Sequence, residues 1–159
     1  MLIRSQYKKF PKNSLPLSIH VGESDIDFAT TVRNLCVTFN QNMDLNQHVQ
    51  TICGVAYSNI RKIQSIRHYL TTDAAKTLAC TLVLSRLDYC NGLFHGSDKC
   101  LIHKLQLVQN SAAKLIFRAK KYDHVTPLLH SLHWLPVSSR IEYKIACICF
   151  DAKFHVGPD

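Results

Sequence analysis

From Asp44 to Ala152 the apolar residues recur at intervals of three and four, and packed helices are the arrangement that buries such a pattern. Leu45, Val49, Ile52, Cys53, Ala56, Ile60, Ile63 and Leu70 share an arc of about 100° at ~100° per residue. Asp44 is placed to cap that helix, which is expected to run to about Tyr69 with a weak point at Gly54. Thr71-Thr72-Asp73 opens a second helix, because a hydroxyl followed by an acid suits the exposed amides of a first turn. Its stripe is Ala75, Leu78, Ala79, Leu82, Val83 and Leu87, and Asn91-Gly92 is expected to end it.

A third helix is expected from Ser97 or Asp98 to about Arg118, with Leu101, Ile102, Leu105, Val108, Ala112, Leu115 and Ile116 on one arc. Lys104, Lys114 and Arg118, and Lys121 if the helix continues, lie roughly opposite. Thr126-Pro127 starts a short helix through His133, which Trp134-Leu135-Pro136 interrupts. Ser138 or Ser139 opens a last helix carrying Ile141, Ile145, Ile148 and Ala152, stopped by Gly157-Pro158. Before residue 44 the period is that of strands. Leu15 to Val21 alternates, Gly22-Glu23-Ser24 turns, Asp25 to Phe28 alternates again, and Val32 to Phe39 holds a third run, Leu35-Cys36-Val37-Thr38-Phe39. So few strands look like the edge of a larger sheet. The expected fold is therefore mainly α, a helical bundle with a small N-terminal β-hairpin or strand element.

The chain has 159 residues, room for one ordinary domain, and 47% of them are apolar, enough to build a core. The apolar runs are short, such as Ala146 to Phe150, far from the ~20 residues that span a bilayer, so no membrane partner is expected. Residues 1–16 lack the apolar core of a signal peptide. Seven cysteines, an odd number set among apolar neighbours, read as buried free thiols in a reducing, intracellular compartment. Cys147-x-Cys149 and His130-x-x-His133 are the nearest approach to zinc spacing and neither has a second pair, so no metal site is expected. Tyr89, Cys90 and Tyr143 are expected in the core, Trp134 and Pro136 at a locked helix–helix corner, and Arg86-x-Asp88 as a local polar tie.

The charge is uneven. Of the net +8, residues 58–121 hold eleven basic and three acidic side chains, while residues 14–57 are net negative. That concentration favours an anionic partner, most simply nucleic acid. Catalysis has no such support. Two-metal nucleotidyl transfer needs two carboxylates aimed at one point. Glu23, Asp25 and Asp27 are the closest acids, and they read as a solvated hairpin edge. No phosphate-cradling glycine loop occurs, and the nine histidines show no nucleophile and acid at a recognisable spacing.

Four segments in order carry a resemblance: Ser85-Arg86-Leu87-Asp88-Tyr89-Cys90-Asn91, Leu105-Gln106-Leu107-Val108-Gln109-Asn110-Ser111-Ala112-Ala113-Lys114, Asp123-His124-Val125-Thr126-Pro127-Leu128-Leu129 and Ser131-Leu132-His133-Trp134-Leu135-Pro136-Val137. With their spacing they are similar to the region after the active site in reverse transcriptases of non-LTR retrotransposons, the jockey-like LINE elements. The resemblance runs from about Val32 to Ala152. It implies that the catalytic Asp-Asp turn lies upstream of a segment like Met1-Leu2-Ile3, so that the chain is a non-catalytic piece of an RNA-directed DNA polymerase with no cofactor of its own. It also implies three parts: palm and primer-grip strands in residues 1–42, a thumb-like helical bundle in 43–122 and a helical extension in 123–159. Leu35, Cys36 and Val37 are similar to the primer-grip strand, with Cys36 where that family has glycine. The thumb packs on a template–primer duplex, which assigns Lys104, Lys114, Arg118, Lys120 and Lys121 to phosphate contacts, with Arg61, Lys62 and Arg67 as weaker candidates. The alternative is a helical protein-interaction module, or a relic without selected activity, that self-associates through exposed helix faces.

Overall fold

Two-residue loops set the register of the N-terminal strands. In the computed structural model, which describes residues 18–154, β1 (Ser18–Val21) and β2 (Ser24–Asp27) form an antiparallel hairpin closed by Gly22-Glu23. Gly22 has φ +63°, the conformation that a type II′ turn reserves for glycine at this position. His20 and Asp25 face each other across the pair, with Nδ1 and Oδ1 2.7 Å apart. The expected strand residues 15–17 and the stop at Gly157-Pro158 lie outside the described residues.

The run Val32 to Phe39, expected as one strand, is instead a second hairpin, β3 (Thr31–Asn34) and β4 (Val37–Asn40). Leu35 and Cys36 are its loop, with φ of +45° and +63°. That is the type I′ pattern, normally written Asn-Gly, so nothing in Leu-Cys announces it. Of the primer-grip-like triplet only Val37 is in a strand, and it is buried, whereas Leu35 and Cys36 are exposed. Left-handed backbone costs a side-chain-bearing residue roughly 1 kcal/mol. Cys36→Gly is therefore expected to raise the stability of this hairpin by roughly 0.5–1 kcal/mol, read as a higher urea midpoint. The four strands form two separate two-stranded sheets.

His48 belongs to the same unit, residues 1–48. It is buried, and its Nδ1 accepts a 3.4 Å hydrogen bond from the Thr38 amide, which requires an unprotonated nitrogen there. Burial, then the nearby Arg33 charge, hold its pKa below the ordinary 6.5. Above pH ~6.5 folded and unfolded forms are both neutral and this contribution is intact. As the pH falls through 6.5 the unfolded chain takes up a proton that the folded chain refuses, so stability is expected to decline until the folded pKa is reached. Urea titrations at a series of pH values check this, and His48→Gln is expected to flatten the slope.

Residues 49–159 form the second unit, helices joined by short loops with no strand among its described residues, and α1 (Asn46–Ile66) leads into it. The Asp44 carboxylate accepts from the Asn46 amide at 3.1 Å, so the expected acid does serve the first turn. A 3₁₀ turn, Arg67–Tyr69, follows. α2 (Thr72–Ala79) starts as the sequence indicated, with the Thr71 hydroxyl accepting from the Ala74 amide at 3.2 Å. It continues through a π turn, Cys80–Leu84, into α3 (Ser85–Asp88). The wider turn rotates the apolar stripe, burying Leu84 and leaving Leu82 exposed, and the Asn59 amide nitrogen donates to the Leu82 carbonyl at 2.8 Å.

The chain leaves this helix at Tyr89-Cys90, not at Asn91-Gly92, and Cys90 takes the left-handed conformation (φ +53°). Tyr89 and Cys90, expected in the core, are consequently exposed. Gly92 lies against α6: a Cβ there would make an ordinary contact with Cδ1 of Ile145 at 3.4 Å. A 3₁₀ turn, Asn91–Phe94, leads to α4 (Lys99–Phe117), which ends with Arg118 at φ +54°. α5 (Thr126–Leu132) starts with Pro127 in its first turn, and α6 (Val137–Phe154) follows.

α4 is the axis. Leu101, Leu105, Val108, Ala112 and Ile116 are buried, and the helix packs on α2, α5 and α6. One side of it is tied by polar groups. Gln109, fully buried, donates to the Leu135 carbonyl at 2.9 Å, and Gln106 Oε1 accepts from the Val137 amide at 2.8 Å. Gln106 Nε2 also donates to Gln109 Oε1 at 2.9 Å, so the glutamines orient each other. Buried Trp134 fills the corner. Asp88 pairs with Arg140 rather than Arg86, through two hydrogen bonds, of which Nε to Oδ1 is 2.8 Å. Three of the four segments that carried the resemblance thus meet in one corner. None of the seven cysteines is buried, contrary to expectation. Their apolar neighbours turn inward while Cys36 and Cys90 sit in turns and Cys100 and Cys149 face outward.

Candidate nucleic-acid interface

Two helix ends meet here, and each exposes carbonyls that its own helix cannot satisfy. Arginines from opposite sides satisfy them. Arg67 donates from Nε to the Leu115 carbonyl at 3.1 Å, from Nη2 to the Ile116 carbonyl at 2.5 Å and from Nη1 to the Leu70 carbonyl at 2.8 Å. Arg118 Nη2 returns across the gap to the Arg67 carbonyl at 3.1 Å and more loosely to that of His68 at 3.4 Å. Each guanidinium therefore lies at the negative end of the other's helix, where a cation is favoured. Arg67 is only 7% exposed although it lies at the edge of the bundle. Burial, then the Arg118 charge, lower its pKa from the ordinary arginine value, and a guanidinium stays protonated all the same.

The clasp floors a cleft of about 640 Å³ between α1 with its 3₁₀ turn and the C-terminal half of α4. Arg61, Arg67, Lys114, Arg118, Lys121 and His68 line it, and no acidic side chain does. Cations crowded in a concave surface without carboxylates concentrate a positive field. Not all their donors are available. Arg67 is committed to carbonyls, and Lys114 Nζ donates to the Lys121 carbonyl, which fixes the loop after α4. Among the described residues Arg118 Nε and Nη1 make no hydrogen bond, and neither do the Arg61 and Lys121 side chains.

Of the five lysines and arginines assigned from sequence, the structure brings Lys114, Arg118 and Lys121 together. Lys104 sits three turns back along α4, outside the cleft, where its charge partly offsets the upward push of burial on the Cys53 thiol. Lys120 is exposed and also outside; its amide donates to Asp123 Oδ2 at 2.6 Å. Among the weaker candidates Arg61 and Arg67 line the cleft and Lys62 does not. Leu35, Cys36 and Val37 belong to the other unit.

Tyr57, Gln64 and His68 were missed, though a signal was there: Tyr57, Arg61, Gln64 and His68 repeat at i, i+4, i+7 and i+11 beside the apolar stripe. Tyr69 and Tyr122 were missed as well. Both are exposed and each follows a lining residue, with the His68 and Tyr69 rings 3.7 Å apart and Lys121 Nζ 5.8 Å from the Tyr122 ring centroid.

Among the described residues no three His, Cys, Asp or Glu side chains are placed to share an ion, and no helix is long and apolar enough to cross a membrane. The acids Glu23, Asp25 and Asp27 lie exposed on the first hairpin. No family model, no curated protein and no solved structure matches this chain.

Proposed function

We propose that the helical unit binds the phosphate backbone of nucleic acid in the cleft between α1 and α4, as a non-catalytic chain of reverse-transcriptase-like, retrotransposon origin. The observation that carries the proposal is the acid-free cleft, where cations from two helices far apart in sequence converge. Arg61, Lys114, Arg118 and Lys121 supply phosphate contacts, which set affinity and register without reading bases. Tyr69 and Tyr122 flank them with exposed rings on which unpaired bases can stack. The resemblance of the sequence to the thumb of a retrotransposon polymerase names the ligand: a template–primer duplex of RNA and DNA.

Fluorescence anisotropy with a labelled RNA–DNA duplex tests the proposal. Binding is expected with a Kd of roughly 1–100 µM at low salt, as befits backbone contacts alone. Three or four phosphates give a slope of log K against log salt near −3, at about −0.9 per phosphate. An absence of binding at low salt removes the proposal. A second reading, a helical interaction module, is favoured by a different part of the molecule, the outer face of α6.

A further inference from the structure

α6 is apolar on two opposite sides. Val137, Ile141 and Ile145 face the bundle, whereas Ile148 and Ala152, expected on the same stripe, are exposed. The other side carries Tyr143, Cys147, Phe150 and Phe154, at successive spacings of four, three and four, the a/d pattern of a coiled-coil seam. Tyr143 was expected in the core, yet it is 65% exposed, and Phe150 and Phe154 are 57% and 55% exposed. The two phenylalanine rings already pack against each other, tilted by 42° with centroids 4.6 Å apart, and extend the apolar ridge. No described element covers this ridge.

We infer that α6 pairs antiparallel with α6 of a second copy of this chain, burying Tyr143, Cys147, Phe150 and Phe154 across a two-fold axis.

The flanking charges select this occupant and this orientation. With Cys147 and Phe154 at a, and Tyr143 and Phe150 at d, the e positions are Lys144 and Asp151 and the g positions Ala146 and Lys153. An antiparallel seam that layers Tyr143 on the partner's Phe154 and Cys147 on the partner's Phe150 brings e beside e. Lys144 then meets the partner's Asp151, and the symmetry repeats the pair. A parallel seam would set Lys144 beside Ser139 and Asp151 beside Ala146, with no charge partner. Such self-complementarity is what an isologous contact requires, and it is independent of the cleft.

Sedimentation velocity of the full chain with reductant, over about 1–100 µM, should show a monomer–dimer equilibrium, since two short heptads support affinity in the micromolar range. Phe150→Ser should weaken dimerisation more than tenfold, with the fluorescence of buried Trp134 unchanged, because Phe150 lies outside the buried core and its ring packs on Phe154 of the same outer face. Lys144→Glu and Asp151→Lys should each weaken the dimer about tenfold, as each sets two like-charge pairs in place of two attractive ones. An equimolar mixture of those two variants should recover wild-type association, because every e pair is again opposite in sign. A monomer at ~100 µM overturns the inference, whatever else covers the ridge. So does a dimer indifferent to Phe150→Ser, or a mixture that fails to recover.

Discussion

Replacing Arg67 with methionine should unfold the helical unit more readily than any other single change to its charged residues. The side chain is buried, and its guanidinium serves three carbonyls, two of them in the last turn of α4. Methionine fills part of the space and leaves the carbonyls of Leu115, Ile116 and Leu70 without their donor. Hydrogen bonds to a charged group contribute about 1.5–3 kcal/mol each, and orphaned carbonyls add a desolvation cost. Arg67 lines an open cleft, so solvent entering it recovers part of the loss and the net is about 2–4 kcal/mol, or a fall of roughly 10 °C in Tm. Arg67→Lys should lose most of the same stability, because an ammonium is a single point and cannot span three acceptors. Arg118→Met should cost less than about 1 kcal/mol, since Arg118 is exposed and gives its neighbours one nitrogen. Thermal unfolding followed by circular dichroism checks the order. Equal losses for Arg67→Met and Arg118→Met would show that the clasp does not hold these helix ends.

The second large effect is on duplex binding. Arg61→Glu combined with Lys121→Glu should weaken it about thirtyfold or more at low salt, since two phosphate contacts become repulsions. Among the described residues neither side chain makes a hydrogen bond or an ion pair, and Lys121 only approaches the exposed Tyr122 ring, so both variants should retain wild-type stability. The control is Lys99→Glu with Lys104→Glu, which removes as much positive charge from α4 outside the cleft. It should change binding by no more than about threefold. Equal losses in the two pairs would mean that the total charge attracts the duplex and the cleft does not.

The helices were legible because their signals are local. Thr71 before Thr72-Asp73 and Pro127 after Thr126 each state a first turn, and the structure begins α2 and α5 there. The stripes of α1 and α4 reach the core almost residue for residue, for both run unbroken. What failed needed tertiary information. The π turn at Cys80–Leu84 moved Leu82 outward, and no residue type announces such a turn. Leu35-Cys36 turns without glycine or asparagine, and Cys90 ends a helix where Gly92 was the obvious breaker. Tyr143 lies on a packed helix, yet the inner face of α6 is filled by Val137 and Ile141 without it.

The site was half legible for a similar reason. The period along α4 showed that Lys114 and Arg118 share a face, but not that Lys104 lies too far back to join them. Arg61 and Arg67 looked alike in sequence. Only the meeting of two helix ends makes Arg67 a structural donor, while Arg61 lines the cleft without such a role.

Lysine footprinting tests the proposed duplex site most directly. The folded chain is acylated briefly with and without saturating RNA–DNA duplex at low salt, and each lysine is quantified by mass spectrometry. The cleft predicts strong protection of Lys121, with Lys114 following it, while Lys62, Lys99 and Lys104 react as in the free chain. Protection of Lys62, Lys99 or Lys104 with Lys121 still reactive would contradict it.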